Sequence, residues 1–493
     1  MTIHQANHSH DLTALTGWFS HDLLIGGENR PASNGERFDV INPATGQSFA
    51  SVASASEDDA IDAVQAAELA LRGWSAFAPR ARAEILRHAF DIMTSRADEL
   101  ARLIVIENGK SLADARGEIA YAAEFFRWYS EEAVRLLGSV QTSPNGQNRI
   151  LVTHQPIGVS LLITPWNFPA AMAARKIAPA LAAGCSVILK PASDTPLTAL
   201  AIGAILTEAG VPSGVVNVIP SRRSGAIVPA MLDHPAVRKL SFTGSTEVGR
   251  TLLAEAARTV VNCSMELGGN APFLVFDDAD LDAAIDGAMI AKMRNGGEAC
   301  TAANRFYVHT SVAVEFSRRL TVRMSGLRMG SGLDEAVELG PLINQDARSK
   351  VAGLVDQAVD AGATVLTGGV TEPGPGYFYP PTVLFGVDST SPILREEIFG
   401  PIAPLVTFET DEDAVRLANN TEFGLVAYVY TADLSRGLAI SERLETGMVG
   451  LNRGLVSDPA APFGGFKQSG LGREGGHEGI LEYTEAQYIA VSW

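Results

Sequence analysis

The sequence predicts an α/β protein built from two open parallel-sheet α/β domains with a small β extension. Three observations carry this. Across residues 158–276 short β-branched runs alternate with Ala/Leu-rich helical stretches. A second alternation of the same texture fills residues 305–430. The chain, at 493 residues, is also too long for one ordinary core.

Taken in order, residues 1–20 are polar and His-rich, with no basic start followed by an apolar run, so they read as a flexible tail rather than a secretory signal. Asp59–Trp74 carries Ile61, Val64, Ala67 and Leu71 at helical spacing. Arg80–Gly109 continues with Ile85, Ala89, Met93, Leu100 and Leu103. The first alternation places strands at Gly158–Thr164, Ser186–Lys190, Val215–Ile219, Lys239–Phe242 and Pro272–Phe276. Helices fall between them at Pro169–Ala183, Pro196–Ala209, Ser224–Leu232 and Thr246–Ala257. The second places strands at Arg305–His309, Thr364–Thr367, Ala403–Phe408 and Leu425–Tyr430, with helices at Val312–Leu327, Ala347–Ala361 and Asp411–Asn419. Arg149–His154 and Gln487–Trp493 alternate apolar and polar residues and read as strands that leave the main body, the kind that pair between subunits. In an open α/β sheet, ligands bind beyond the carboxyl ends of the strands.

Composition narrows the function. Hydrophobic residues make up 46% and charged residues 19%, the balance of a globular enzyme. A net charge of −18 argues against nucleic acid or an anionic membrane surface as partner. The most apolar stretches are too short, or too broken by Gly and Pro, to span a bilayer. The three cysteines, Cys185, Cys263 and Cys300, are widely spaced and form no CxxC or Cys/His pattern. They imply no metal site and no disulfide framework, hence a reducing, cytoplasmic compartment.

Four segments carry the chemistry: Ile163-Thr-Pro-Trp-Asn-Phe-Pro169, Met265-Glu-Leu-Gly-Gly-Asn-Ala-Pro272, Asn295-Gly-Gly-Glu-Ala-Cys-Thr301 and Glu396-Glu-Ile-Phe-Gly-Pro401. Taken singly each has a bland reading. A glycine pair makes a turn, a lone glutamate sits on the surface, and a free cysteine is more often a small buried hydrophobe than a nucleophile. Together, and in this order, they resemble the aldehyde dehydrogenase family. The resemblance runs from about Asn42-Pro-Ala-Thr-Gly46 to Pro462-Phe-Gly-Gly-Phe-Lys467 and beyond.

That resemblance implies a division of labour. Cys300 is the nucleophile that attacks an aldehyde. The Asn167 side chain and the Cys300 backbone N–H stabilise the thiohemiacetal oxyanion, and Glu266 is the base that activates water against the thioester. No GxGxxG fingerprint precedes a helix, but this family holds its cofactor differently. By resemblance Thr164, Trp166, Lys190 and Ser193 line the adenosine side, Gly244, Ser245 and Gly249 cap the pyrophosphate at a helix N-terminus, and Glu397 and Phe399 hold the nicotinamide ribose and ring. Taken alone, Gly244–Gly249 is an ordinary strand-to-helix turn. The implied domains are 21–135 with 156–265 for the cofactor, 266–460 for catalysis, and 136–155 with 478–493 for assembly into a homodimer or homotetramer.

Within the family the chain is most similar to the succinate-semialdehyde dehydrogenase group, through Phe125–Ala133, Met293–Asn295 and Ser469–Gly475. There two arginines and a serine hold the substrate's distal carboxylate, and Arg175, Arg294 and Ser457 match them. An arginine pair discriminates a carboxylate from a neutral tail by charge-assisted, bidentate bonds. The other reading makes Arg175, beside Lys176, a solvated helix charge and Arg294 structural. Glutarate semialdehyde, one methylene longer, and aromatic or aliphatic aldehydes stay open. A reading from another class, a cofactor-independent cysteine hydrolase, lacks a His paired with Cys300. Cofactor choice turns on Ser193. Strongly NAD-dependent relatives carry a glutamate there, whose charge repels the 2′-phosphate of NADP. Serine removes that charge, Lys190 supplies countercharge and Arg222 and Arg223 could add to it, so NADP is expected over NAD.

Overall fold

The computed structural model describes residues 15–371 and 373–492. Two large sheets dominate. The first has eight strands, and its five central ones, in spatial order Val216–Val218, Ser186–Lys190, Val159–Ile163, Val237–Thr243 and Asn262–Glu266, are mutually parallel. The chain starts at Val159–Ile163, builds outward in one direction for two strands, then returns to build on the other side. Strand order therefore reverses between Val159–Ile163 and Val237–Thr243, which opens a crevice at their carboxyl ends.

The second sheet has seven strands, in order Thr364–Thr367, Thr382–Phe385, Ile402–Phe408, Ala303–His309, Ala271–Val275, Val426–Tyr430 and Met448–Leu451. All its pairings are parallel except the edge strand Thr364–Thr367. The connection from one sheet to the other is the short Leu267–Asn270 segment between Asn262–Glu266 and Ala271–Val275.

Several helices match the sequence reading to the residue, including Pro169–Ala183, Ser224–Leu232 and Thr246–Ala257. Pro169 fixes the first turn of the first of these, where its missing N–H costs nothing, and Gly184 closes it with φ +100°. All fifteen residues of that helix are buried, Arg175 and Lys176 included, so neither is a solvated charge. The long segment Arg80–Gly109 is two helices, Pro79–Ser95 and Ala97–Asn108, separated at Arg96.

Arg149–Pro156 pairs antiparallel with Thr484–Val491 over eight residue pairs and with Ser139–Thr142 on its other side. The resulting three-stranded sheet is largely exposed, Val140, Tyr488 and Ile489 included, and so is Leu137 just before its first strand. The N-terminal tail needs correcting. Its residues 1–14 lie outside the described residues, but Phe19 is buried and Trp18 stacks under Arg96 at 4.3 Å. Two aromatic rings with core to cover do not stay loose.

Candidate active site

The crevice at the strand reversal is lined by Thr164, Trp166, Lys190, Ser193, Gly244 and Ser245 and encloses about 530 Å³. Each of these follows directly on a strand's carboxyl end or starts the next helix, which is why residues distant in sequence converge. Ser245 caps Thr246–Ala257 by accepting from the Val248 N–H, leaving that helix's first amides facing the crevice. Lys190 is buried there with no ion pair among the described residues, and burial pushes its ammonium down to about 8. Asp194, in the same crevice, opposes that shift without forming an ion pair, so the buried cation is left for a bound phosphate to satisfy.

Pro165, Trp166, Thr243, Gly244 and Ser245 also line a second hollow of about 280 Å³, so the two are continuous. This one holds Cys300, Asn167, Glu397 and Phe399. Trp166 and Phe399 meet edge to face at 5.4 Å across it. Glu397 accepts from the Gly269 N–H at 3.0 Å, and burial raises its carboxyl to about 7.

The cysteine sits on a loop with an unusual backbone. Asn295, Gly296 and Gly297 run consecutively at φ +54°, +62° and +81°. Asn295 is held there by its backbone N–H and its side-chain NH2 group, while its Oδ1 is buried without a partner. Its N–H donates to Asp114 Oδ2 at 3.1 Å, and its amide donates to the carbonyls of Asn167 and Glu298, both at 2.9 Å. Gly269 then explains the glycine pair. A Cβ there would lie 2.3 Å from the Cys300 carbonyl oxygen, so only glycine lets the two loops touch.

Asn167 Nδ2 donates to the Glu298 carbonyl at 3.0 Å, which uses one amide hydrogen and leaves a second. The Asn167 backbone is fixed from beneath. Lys110 Nζ donates to its carbonyl at 2.8 Å and is held by Glu118 at 2.6 Å, while Glu118 accepts from the Ala170 and Ala171 N–H groups at the helix start. No local pattern around Lys110 and Glu118 announces this platform.

Glu266 ends its strand, buried, with Oε2 lacking any partner. Burial, reinforced by Glu474, holds its carboxyl well above the usual range. Glu474 moves the opposite way, held low by Lys176 and Arg175 against the burial that would raise it. Lys176 Nζ and Arg175 Nε each lie 2.5 Å from Glu474 oxygens. Of the two carboxyls, Glu266 is the one whose surroundings favour the protonated form and Glu474 the one held ionised. Burial likewise pushes the Cys300 thiol up to about 12, opposed by Arg175 and Arg294 and reinforced by Glu397 and Glu266.

Five expected positions differ in detail. Gly249 does not line the crevice; its absent Cβ is replaced by Leu267 packing at 2.4 Å from that position, so it serves close helix packing. Arg222 and Arg223 face a different groove, where Arg223 pairs with Glu36 and Arg222 donates to the Asp39 carbonyl. Arg175 is engaged by Glu474 and stacks on Phe463 at 4.2 Å rather than standing free. Ser457 lines a separate hollow that shares Phe463. Arg294 keeps its cation unpaired among the described residues, over Phe168 at 4.8 Å and Tyr121 at 6.0 Å.

Glu474 and Lys176 were missed by residue-level reading. The only signal was the Ser469–Gly475 stretch, whose Ser469 hydroxyl donates to the Gly268 carbonyl at 2.7 Å and so pins the loop after Glu266. Among the described residues no group of His, Cys, Asp and Glu could hold a metal ion, and no helix is long and apolar enough to cross a membrane.

Comparison with known proteins places this geometry. Residues 30–489 match the profile of the aldehyde dehydrogenase family. A succinate-semialdehyde dehydrogenase of Paenarthrobacter nicotinovorans is 57% identical over 444 residues, covering 90% of this chain and 99% of that protein. The NADP(+) succinate-semialdehyde dehydrogenase GabD of Escherichia coli (strain K12) is 48% identical, covering 96% and 98%. A crystal structure of an E. coli NADP-dependent enzyme superposes with a TM-score of 0.95 at 47% identity, covering 99% of this chain and 100% of that one. A thiol on a strained loop, an amide beside it, a buried carboxyl and an anion-seeking crevice are thus found on a fold and a sequence that agree over nearly their whole length: the chain belongs to the aldehyde dehydrogenase family.

Proposed function

We propose that the protein oxidises a small ω-carboxy aldehyde, succinate semialdehyde before others, to its acid with NADP. One observation carries the substrate class: Arg294, six residues before the thiol, is a cation with no ion pair among the described residues, lying over the rings of Phe168 and Tyr121, with buried Asp114 acting on it only electrostatically. A carboxylate tail supplies the missing charge.

The chain's own groups support the steps. Cys300 sulfur attacks the aldehyde carbon, its proton leaving to a base, and the oxyanion is met by the free Asn167 amide hydrogen and the Cys300 N–H. Trp166, Ser193, Glu397 and Phe399 would hold NADP, which would supply the hydride acceptor needed for the thiohemiacetal on Cys300 to become a thioester. Glu266, once deprotonated, takes a proton from water, and the hydroxide releases the acid and the thiol. Buried Lys190 and the first amides of Thr246–Ala257 suit the cofactor's phosphates. Ser193, uncharged, admits a 2′-phosphate where a glutamate would repel it. The names of the two succinate-semialdehyde relatives support the same substrate. The exposed three-stranded sheet supports assembly as a homodimer or homotetramer, and we place the enzyme in the cytoplasm.

Steady-state kinetics with succinate semialdehyde, glutarate semialdehyde, butanal and benzaldehyde, each with NADP and NAD, tests the reading. Arg294→Ala should raise KM for the two carboxylated substrates tenfold or more, since a charge-assisted pair contributes ~1.5–3 kcal/mol. A parent enzyme that prefers butanal, or equal losses on charged and neutral aldehydes, refutes it.

A further inference from the structure

With Arg175 already committed to Glu474, Arg294 is the cation of the expected clamp that has no ion pair among the described residues, and a carboxylate offers about four acceptor sites. A further donor is needed. One group in this neighbourhood is unexplained: the Tyr121 hydroxyl is buried, with its oxygen beside the Arg175 guanidinium and no acceptor for its hydrogen, although the residue as a whole is partly exposed. A buried phenol is normally satisfied, because desolvating a hydroxyl without a bond is costly. Its surroundings are cationic. Arg294 Cζ lies 6.0 Å from the ring centroid, and both Arg175 and Arg294 act on the hydroxyl electrostatically.

We propose that Tyr121 is a specificity-determining residue, its hydroxyl donating to the distal carboxylate of the substrate in the space between Arg175 and Arg294.

Three further features fit. The helix Leu112–Glu132 that carries Tyr121 is the same one whose Glu118 anchors the start of Pro169–Ala183, so the hydroxyl is fixed relative to Arg175 on that helix. The Tyr121 ring packs edge to face on Phe125 at 4.9 Å, which holds its orientation. Burial raises the phenol above its ordinary range, so it stays protonated, a donor rather than a phenolate that would repel a carboxylate. The assignment also accounts for the arginine that is not free. Arg175, which shares Glu474 with Lys176, contributes position and part of its charge, while Arg294 supplies an unpaired charge and Tyr121 a directed hydrogen.

This proposal rests on the ω-carboxy aldehyde reading above, and the experiment separates the two. The parent and Tyr121→Phe proteins are compared on succinate semialdehyde and butanal at saturating NADP, with thermal midpoints as the check on folding. The expected result is a parent ratio of kcat/KM that favours succinate semialdehyde, and a ratio about tenfold lower in Tyr121→Phe, the loss lying in KM rather than kcat. Succinate, as a competitive inhibitor of the same two proteins, should weaken by a similar factor, a readout that a packing defect would not move. An unchanged ratio, or a loss shared equally by both aldehydes, overturns the role of Tyr121 while leaving the substrate class standing. A parent ratio that favours butanal overturns the substrate class itself, and Tyr121 with it.

Discussion

The contact between Gly269 and the Cys300 backbone makes a sharp test of how the nucleophile is held. In Gly269→Ala the new methyl group would start 2.3 Å from the Cys300 carbonyl oxygen, 3.4 Å from its carbonyl carbon and 3.3 Å from Leu425 Cδ2. A relaxed carbon–oxygen approach is about 3.3–3.6 Å, so one backbone must retreat by about 1 Å. Misplacing a reacting group by that distance costs on the order of 100-fold, or ~2.7 kcal/mol on the barrier. The assay is kcat at saturating NADP and aldehyde, with the pre-steady-state appearance of reduced cofactor as a measure of hydride transfer. Binding of NADP in the adenosine crevice should persist, because that hollow is lined by other residues. Gly353→Ala is the matched control. It lies inside the helix Gln345–Asp360 with nothing within 4 Å of a new Cβ, so it should keep full activity and gain ~0.5–1 kcal/mol of stability. A Gly269→Ala enzyme within threefold of the parent would refute the reasoning, since the thiol's placement would then not depend on this contact.

Two further outcomes follow from the electrostatics. Ser193→Glu should shift kcat/KM toward NAD by weakening NADP, read as the ratio of the two cofactors' values; a parent that already uses NAD more efficiently refutes the assignment of Ser193. The Cys300 thiol is raised by burial to about 12, so in the free enzyme its thiolate fraction grows tenfold with each pH unit up to that value. Iodoacetamide labelling of the Cys300 peptide, followed by mass spectrometry between pH 7 and 10, should rise on that slope. A plateau below pH 9 would contradict it.

Much of the fold was legible because the parallel strands are buried on both faces and so read as short β-branched runs, Val159–Ile163 and Ser186–Lys190 among them. Asn262–Glu266 was not legible. Its residues, Asn-Cys-Ser-Met-Glu, have little strand preference, and pairing with Val237–Thr243 makes it a strand. Thr382–Phe385 and Met448–Leu451 were too short to stand out between turns. In the site, Cys300, Glu266 and Asn167 were found because their neighbours are distinctive. The partners that set their properties were not found. That Arg175 and Lys176 are buried depends on Glu474, and no local pattern announces a contact between residues 298 apart such as Lys176 and Glu474. Tyr121 and Lys110 have the same character, since what matters about them is the space they face.

The Glu474 bridge also orders events while the chain is being made. The helix Pro169–Ala183 is wholly buried, and it carries two cations into that burial. Their counter-ion leaves the ribosome roughly 300 residues later, after the whole second sheet. Until then the first sheet also lacks its edge strand Gly470–Leu471 against Asn262–Glu266, and Gly268 lacks Ser469. An unpaired buried charge is worth several kcal/mol of destabilisation, so the cofactor half gains this part of its stability only after the catalytic half has been made. The same few residues that hold Glu266 protonated thus close the core of the other half, and tie the stability of the first sheet to chain that follows the second.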